Sequence, residues 1–433
     1  MTETRSLCVA GFSLASIFKD LHLDSSKAAL CEDWPRLTGV SLESAKRFLE
    51  PGFVTSMARA AALSTEQTEE LVSFAPRIAS EPALLAFFAY CLHRVRHDVS
   101  LTRSWEEQWP PLDEHLGQDA GLVNVLVMLA ALPEALEGFD RIGLPARVVA
   151  DTLADLRRWM ESDVYFQNHG RWGITPWIAR WLTKHWRGIM VQLGRLQFSP
   201  SRFSGPLEVF RHRTSGQVVA LANSGQRLGI DGQAWGPCCG SLEPSWVSER
   251  SDTETHFGGH CLDPTGHAER LPVALPKSQW FRVLATGDPM LSIHVPTGGS
   301  LAFEDCGDSF RQALEFFPRY YPEVVFKGFA TASWLMDPRW GELLAPQSNI
   351  VRLQSELFLY PGIQGDNDQI YQRVFGWGVT DARAVEWKTS LQKAVGPVLE
   401  SGGHFHGGYC FLLKEDLDWG RQPYRTYKKW EIS

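Results

Sequence analysis

The hydrophobic period of this chain changes once, near Leu193, and that change restricts the fold more than any other feature. Upstream, apolar residues recur at helical spacing. In "SEPALLAFFAYCLHRVRHD" positions 84, 85, 87, 88, 91, 92 and 95 share one face of a helix. "LPARVVADTLADLRRWM" repeats the design at 148, 149, 153, 156, 159 and 160, with Pro145 near its start, where a missing N–H costs least. "STEQTEELVSF" opens on a capping box, Ser64 with Gln67, and a further helix is expected over 175–192. Downstream, short β-rich runs alternate with Gly-containing turns: "LEVFRHRTSGQVVALANSGQRLGIDG", then two strands around Pro-Thr-Gly in "THFGGHCLDPTGHAERLPVAL", then "WFRVLATGDPMLSIHVP". Strands and helices follow in alternation: helix 302–317, strand 324–333, a short helix near 338–344, an extended run "NIVRLQSELFLY", a helix near 383–395 and the strand "GGYCFLL". The pattern predicts an α+β chain, an all-helical domain over 1–160 and a mixed, largely antiparallel sheet domain with flanking helices over 161–433.

Composition excludes several classes. A net charge of −8 lacks the basic surface of a nucleic-acid binder. The apolar run 122–132 falls short of the ~20 residues that a membrane helix needs, and 8–18 makes a poor signal peptide, so no membrane partner is expected. The eight cysteines have no framework spacing and no C-x-x-C pair, which suits reduced thiols and a cytoplasmic location. Most of the 17 Trp are expected in cores and seams.

No nucleophile elbow, P-loop or dinucleotide fingerprint is present. The stretch with chemical promise is "LSIHVPTGGS", a strand running into a Gly-Gly turn ahead of a helix. A helix N-terminus offers unpaired N–H groups and a favourable dipole to a phosphate, and Gly298 and Gly299 let backbone approach closely. Thr297 and Ser300 add hydroxyls; the same turn also reads as a plain crossover with a Ser300 cap. Glu304, Asp305 and Asp308 suit the helix dipole but would repel a phosphate unless they point away.

The stretches "DLRRWM", "HGRWGIT", "LGRLQF", "LSIHVPTGGSL", "DSFRQALEFF", "ASWLMDP", "SNIVRLQ", "RVFG" and "TSLQKAVG" occur in an order that resembles bacterial two-domain acyltransferases, which join a helical N-acyltransferase N-terminal domain to a GNAT-like C-terminal domain. The resemblance covers about residues 150–400 and implies transfer of an acyl group from acyl-CoA, acetyl-CoA or longer, to an amine of a small molecule or peptide. It implies a phosphate cradle at Thr297, Gly298, Gly299 and Ser300, with a pantetheine arm between strands that splay near Ser333 and Trp334. The usual signature, Arg/Gln-x-x-Gly-x-Gly/Ala, is absent from this turn; a literal match, "RVFGWG" (Arg373 to Gly378), falls after the expected strand order. His294 is the candidate base, Ser333 the candidate donor to the thiolate, and Asn349 a further polar candidate; each also has a structural reading, as sheet-bonded His, turn cap or turn residue. Two other functions stay open: a non-catalytic GNAT-like module that binds a ligand or protein, and a zinc-dependent hydrolase on "HFGGHC" and "GGHFHGGYC". No metal is expected, because no carboxylate closely partners those histidines. "CCG" at 238–240 reads as packing rather than as a nucleophilic thiol.

Overall fold

The computed structural model describes residues 8–9, 12–23, 42–97, 108–162, 170–236, 245–362 and 367–425. The "CCG" cysteines lie outside them. The chain forms two compact units, Met1–Gln192 with Pro296–Gly298, and the remainder. Their junction at Gln192 falls where the hydrophobic period changes, downstream of the 160/161 division drawn from the sequence.

The first unit is helical: α1 Pro51–Ala60, α2 Thr65–Ser80, α3 Pro82–His97, α4 Ala120–Arg141, α5 Ala146–Leu153, α6 Asp155–Ser162 and α7 Pro176–Trp186. The capping box at α2 is complete, with Ser64 Oγ accepting from Gln67 N and Gln67 Oε1 from Ser64 N. Helix α4 is the core: every residue of Leu122–Leu132 is buried. By length and apolarity alone it would also cross a bilayer, so the 122–132 run understates the helix, and burial on all sides marks the core of a folded unit. Its one buried amide, Asn124, accepts from Trp109 Nε1 at 2.9 Å and donates to Ile174 O at 2.7 Å. The helix expected over 175–192 stops at Trp186, where Gly188 adopts φ 64. Arg187 then donates to the carbonyls of Arg94 and Val95 at the end of α3.

The second unit carries two large sheets and a two-stranded ribbon, Arg227–Leu228 with Trp246–Val247. β2 Leu207–His212, β3 Val218–Ala222, β4 His256–Asp263, β5 His267–Pro276 and β6 Trp280–Ala285 form an antiparallel sheet ordered β5-β4-β3-β2-β6, and β1 Leu196–Arg202 starts the other. There β7 Pro289–His294, β8 Gly328–Ser333, β9 Phe358–Tyr360 and β10 Gly408–Leu413 give the order β9-β10-β8-β7-β1, antiparallel except for the central β7/β8 pair. Helix α8 (Phe303–Tyr320) covers one face through Phe310, which meets Phe198 of β1 and Phe329 of β8 edge-on.

One expected strand is a helix. "NIVRLQS" forms α9 (Asn349–Ser355), and only Phe358–Tyr360 is extended. Ser348 Oγ accepts from Val351 N and starts the helix, while Leu353 and Gln354 bury one helical side; the β-branched Ile350 and Val351 alone favour a strand. Likewise the helix near 383–395 is a short 3₁₀ turn at Ala382–Ala384 followed by α10 (Ser390–Glu400), capped by Thr389 and Gln392.

Candidate functional site

The centre of the second sheet opens. β7 and β8 pair only at Leu291↔Phe329 and Ser292↔Ala330. Beyond that point β7 stays with β1 (Ile293↔Phe198, His294↔Gln197), whereas β8 stays with β10 (Thr331↔Cys410, Ala332↔Tyr409, Ser333↔Gly408). The two halves of the sheet therefore diverge towards His294 and Ser333. A strand edge exposed by such a divergence can hydrogen-bond an extended, amide-bearing ligand.

Alternation along β7 sends Leu291 and Ile293 into the core and leaves Ser292 and His294 half-buried on the opposite face. Ser292 Oγ lies 3.2 Å from His294 Nε2. Across the opening, Ser333 Oγ accepts from Leu335 N at 3.2 Å and so caps the short turn Trp334–Met336. Asn349 opens α9 and is half-buried.

After β7 the chain enters the Gly-Gly turn. Gly298 and Gly299 adopt φ 82 and 73, a region that strains any residue with a Cβ, and a Cβ at either would meet open space. Thr297 and Gly298 belong to the helical unit and Gly299 and Ser300 to the sheet unit, so the sheet unit's share of the turn begins at Gly299. Ser300 is not the helix cap: Ala302 precedes α8 and no side chain closes its first turn. Among the described residues no acceptor takes the N–H groups of Ser300, Leu301 or Phe303. Arg195, from the hairpin that leads into β1, donates to Ser300 O through Nε (2.8 Å) and to Gly299 O through Nη2 (3.3 Å). Two of the three acidic residues of this helix start, Glu304 and Asp308, have cations of their own. Glu304 lies 3.5 Å from Arg352 of α9, whose guanidinium stacks 3.8 Å from the Phe303 ring, and Asp308 pairs with Arg311.

Residues 190–412 match the family described as GNAT-like C-terminal domain, and residues 53–188 match the N-acyltransferase N-terminal domain. The chain belongs to the GNAT-like C-terminal domain family. Solved structures share its fold. One is an acyltransferase in complex with decanoyl-CoA and teicoplanin, 23% identical with a TM-score of 0.62, covering 93% of this chain and 99% of that one. An acyltransferase in complex with CoA and 10C-teicoplanin is 23% identical (TM-score 0.61; 93% and 99%), and an acyltransferase mutant in complex with octanoyl-CoA is 23% identical (0.61; 92% and 99%). No curated protein matches the chain.

The loop that leaves β8 in this GNAT-like domain is held by a residue that sequence reasoning missed. Asp337 is fully buried, with Oδ1 accepting from Arg339 N (2.9 Å) and Oδ2 from His406 N (2.6 Å). Burial pushes its carboxyl up to about 6, against the two backbone N–H bonds, which pull it down. Gln354 of α9 donates to Leu335 O and Asp337 O, and Trp340 Nε1 to Trp334 O. Ser333 thus sits on a braced loop. "ASWLMDP" offered the signal, an Asp-Pro after a strand end, but nothing in it says that the carboxylate turns inward.

The remaining sequence candidates have other partners. Arg373 lies in a π turn, Tyr371–Phe375, followed by Gly376 at φ 114 and Gly378 at φ 80, and the next α-helix, α10, starts only at Ser390, too far along the chain to form one cradle with it. His256 Nδ1 contacts Thr255 Oγ1, and His260 Nδ1 contacts Glu269 O beside the Trp246 ring. Among the described residues no three His, Cys, Asp or Glu side chains converge as metal ligands. The buried thiols of Cys261 and Cys410 are pushed up to about 12 and that of Cys306 to about 11, all by burial, which leaves them protonated and inert.

The helical unit has a polar cleft of its own, of about 560 Å³, on α2 and the start of α4. There Arg171 bridges Glu70 at 2.9 Å and Asp119 at 2.7 Å, beside Trp172.

Proposed function

We propose that the chain transfers an acyl group from acyl-CoA to an amine of a small molecule or peptide. The divergence of β7 and β8 carries this reading. It offers two diverging strand edges suited to the amides of a pantetheine arm, and β7 leads to a glycine turn and helix start whose N–H groups suit the phosphates. The proteins of this fold that hold CoA, octanoyl-CoA or decanoyl-CoA support the same donor, and those that also hold teicoplanin support an amine acceptor larger than a simple metabolite.

In the transfer the amine nitrogen attacks the thioester carbonyl, the C–S bond breaks, the amine loses a proton and the thiolate gains one. His294 is the group to accept the amine proton; its ring faces Ser292 on the polar side of β7. Ser333 is the group to protonate the thiolate. Its oxygen is engaged by Leu335 N–H, which leaves the hydroxyl hydrogen to donate. The test is CoA release from decanoyl-CoA in the presence of a panel of amines, wild type against His294→Ala. Turnover that falls at least ~100-fold in the variant while CoA binding stays supports the assignment. Undiminished turnover removes His294 from it. CoA binding without turnover on any amine favours the non-catalytic module instead.

A further inference from the structure

We propose that Arg195 is the positioning residue that turns this glycine loop into a phosphate cradle, in place of the Arg/Gln-x-x-Gly-x-Gly/Ala signature that the loop lacks; the proposal rests on the acyl-CoA reading above. Arg195 starts from an anchored backbone. Its own N–H and that of Leu196 both donate to Ser309 Oγ (2.8 and 3.2 Å), and Ser309 Oγ donates to Asp305 O (2.8 Å), so the hairpin is fastened to the first turns of α8. Ser309 is fully buried. Gly194, at φ 63, makes the approach feasible, because a Cβ there would lie 3.0 Å from Ser309 Oγ.

From that anchor the guanidinium reaches two successive carbonyls, Gly299 O and Ser300 O. A peptide unit is planar, and this chain has no cis bond among its described residues, so each carbonyl points opposite to the N–H of the next residue. Holding Gly299 O and Ser300 O towards Arg195 therefore sends the N–H groups of Ser300 and Leu301 the other way. Those N–H groups have no acceptor among the described residues. The two glycines permit many loop shapes, and the arginine selects one. It also sets a fixed positive charge beside the helix start, where Arg352 already neutralises Glu304. Asp305 and Asp308 are the other carboxylates there, the second paired with Arg311. An arginine placed on the turn's carbonyls acts through the backbone, and this separates it from a residue that only adds charge.

Calorimetric titration with CoA and with pantetheine, which lacks every phosphate, tests this on wild type, Arg195→Ala and Arg195→Lys, with thermal melting alongside. The expected result is that wild type prefers CoA and that Arg195→Ala weakens CoA binding about tenfold or more, leaves pantetheine affinity unchanged, and melts close to wild type. Lysine keeps the charge but cannot span both carbonyls, so Arg195→Lys recovers only part of the loss. Three results overturn the assignment: an unchanged CoA preference in Arg195→Ala, full recovery in Arg195→Lys, or equal loss of both ligands with a lower melting temperature. A wild type that binds CoA no better than pantetheine overturns the acyl-CoA reading itself, and the assignment falls with it.

Discussion

Replacing Asp337 by Asn changes how stability depends on pH, and the size of the change follows from the burial of one carboxyl group. In the folded chain Asp337 keeps its proton until about pH 6, whereas the ordinary value is 3.8. A raised folded value means that the fold favours the protonated acid. Its contribution is fully present below about pH 3.8 and is lost as pH rises through about 6. The lift corresponds to about 3 kcal/mol. Asparagine carries no charge, so this loss disappears. The amide keeps one acceptor oxygen for either Arg339 N or His406 N and turns its NH₂ towards the other, a pH-independent cost of about 1–3 kcal/mol. Urea unfolding of both proteins at about pH 4.5 and about pH 7.5 isolates the effect, because every other titrating group cancels in the difference between them. The expected outcome is that the variant, the less stable protein at the lower pH, recovers about 2 kcal/mol relative to wild type at the higher, since part of the full lift is already lost at about pH 4.5. Parallel pH profiles would refute the account and show that the buried carboxyl is charged at both pH values.

Three other substitutions probe the packing. Asn124→Ala strands Trp109 Nε1 and Ile174 O inside the helical core and is expected to cost about 2–5 kcal/mol in urea unfolding, since two buried polar groups lose their partner. Phe310→Ala empties the contact between α8, β1 and β8 and is expected to cost about 3–5 kcal/mol, read as earlier exchange of amides in β7 and β8 rather than in α4. Gly408→Ala places a Cβ 1.9 Å from the backbone of Met336, and the expected result is loss of near-ultraviolet circular dichroism from the sheet unit at growth temperature.

Much of the architecture was legible from periodicity. The helix over 84–95, the Ser64 capping box and the β4/β5 hairpin around Pro264 and Gly266 are local patterns that survive folding, whereas the helical pattern over 148–160 is divided at Ala154 into α5 and α6. The strand order that makes β7 and β8 parallel neighbours came from the family resemblance, because pairing partners are distant in sequence. Where local reading failed, the cause was competition between propensity and capping. Ile350 and Val351 suggest a strand, but Ser348 supplies a helix cap and Gln354 finds two buried carbonyls only on a helix. The site was half legible. His294, Gly298 and Gly299 stand out as residue types at the end of a strand. Arg195 and Asp337 do not, since their roles depend on carbonyls and N–H groups brought from about 70–105 residues away.

The central claim is that the opening between β7 and β8, with the turn beyond it, holds an acyl-CoA. Calorimetric titration with CoA and decanoyl-CoA, on wild type and Gly299→Glu, tests it most directly. The variant puts a carboxylate and a strained backbone where φ is 73 and the turn faces open space. Micromolar binding of both ligands by wild type, abolished in a variant that still folds, is the predicted result. Absence of binding to wild type, or equal binding by the variant, would contradict it.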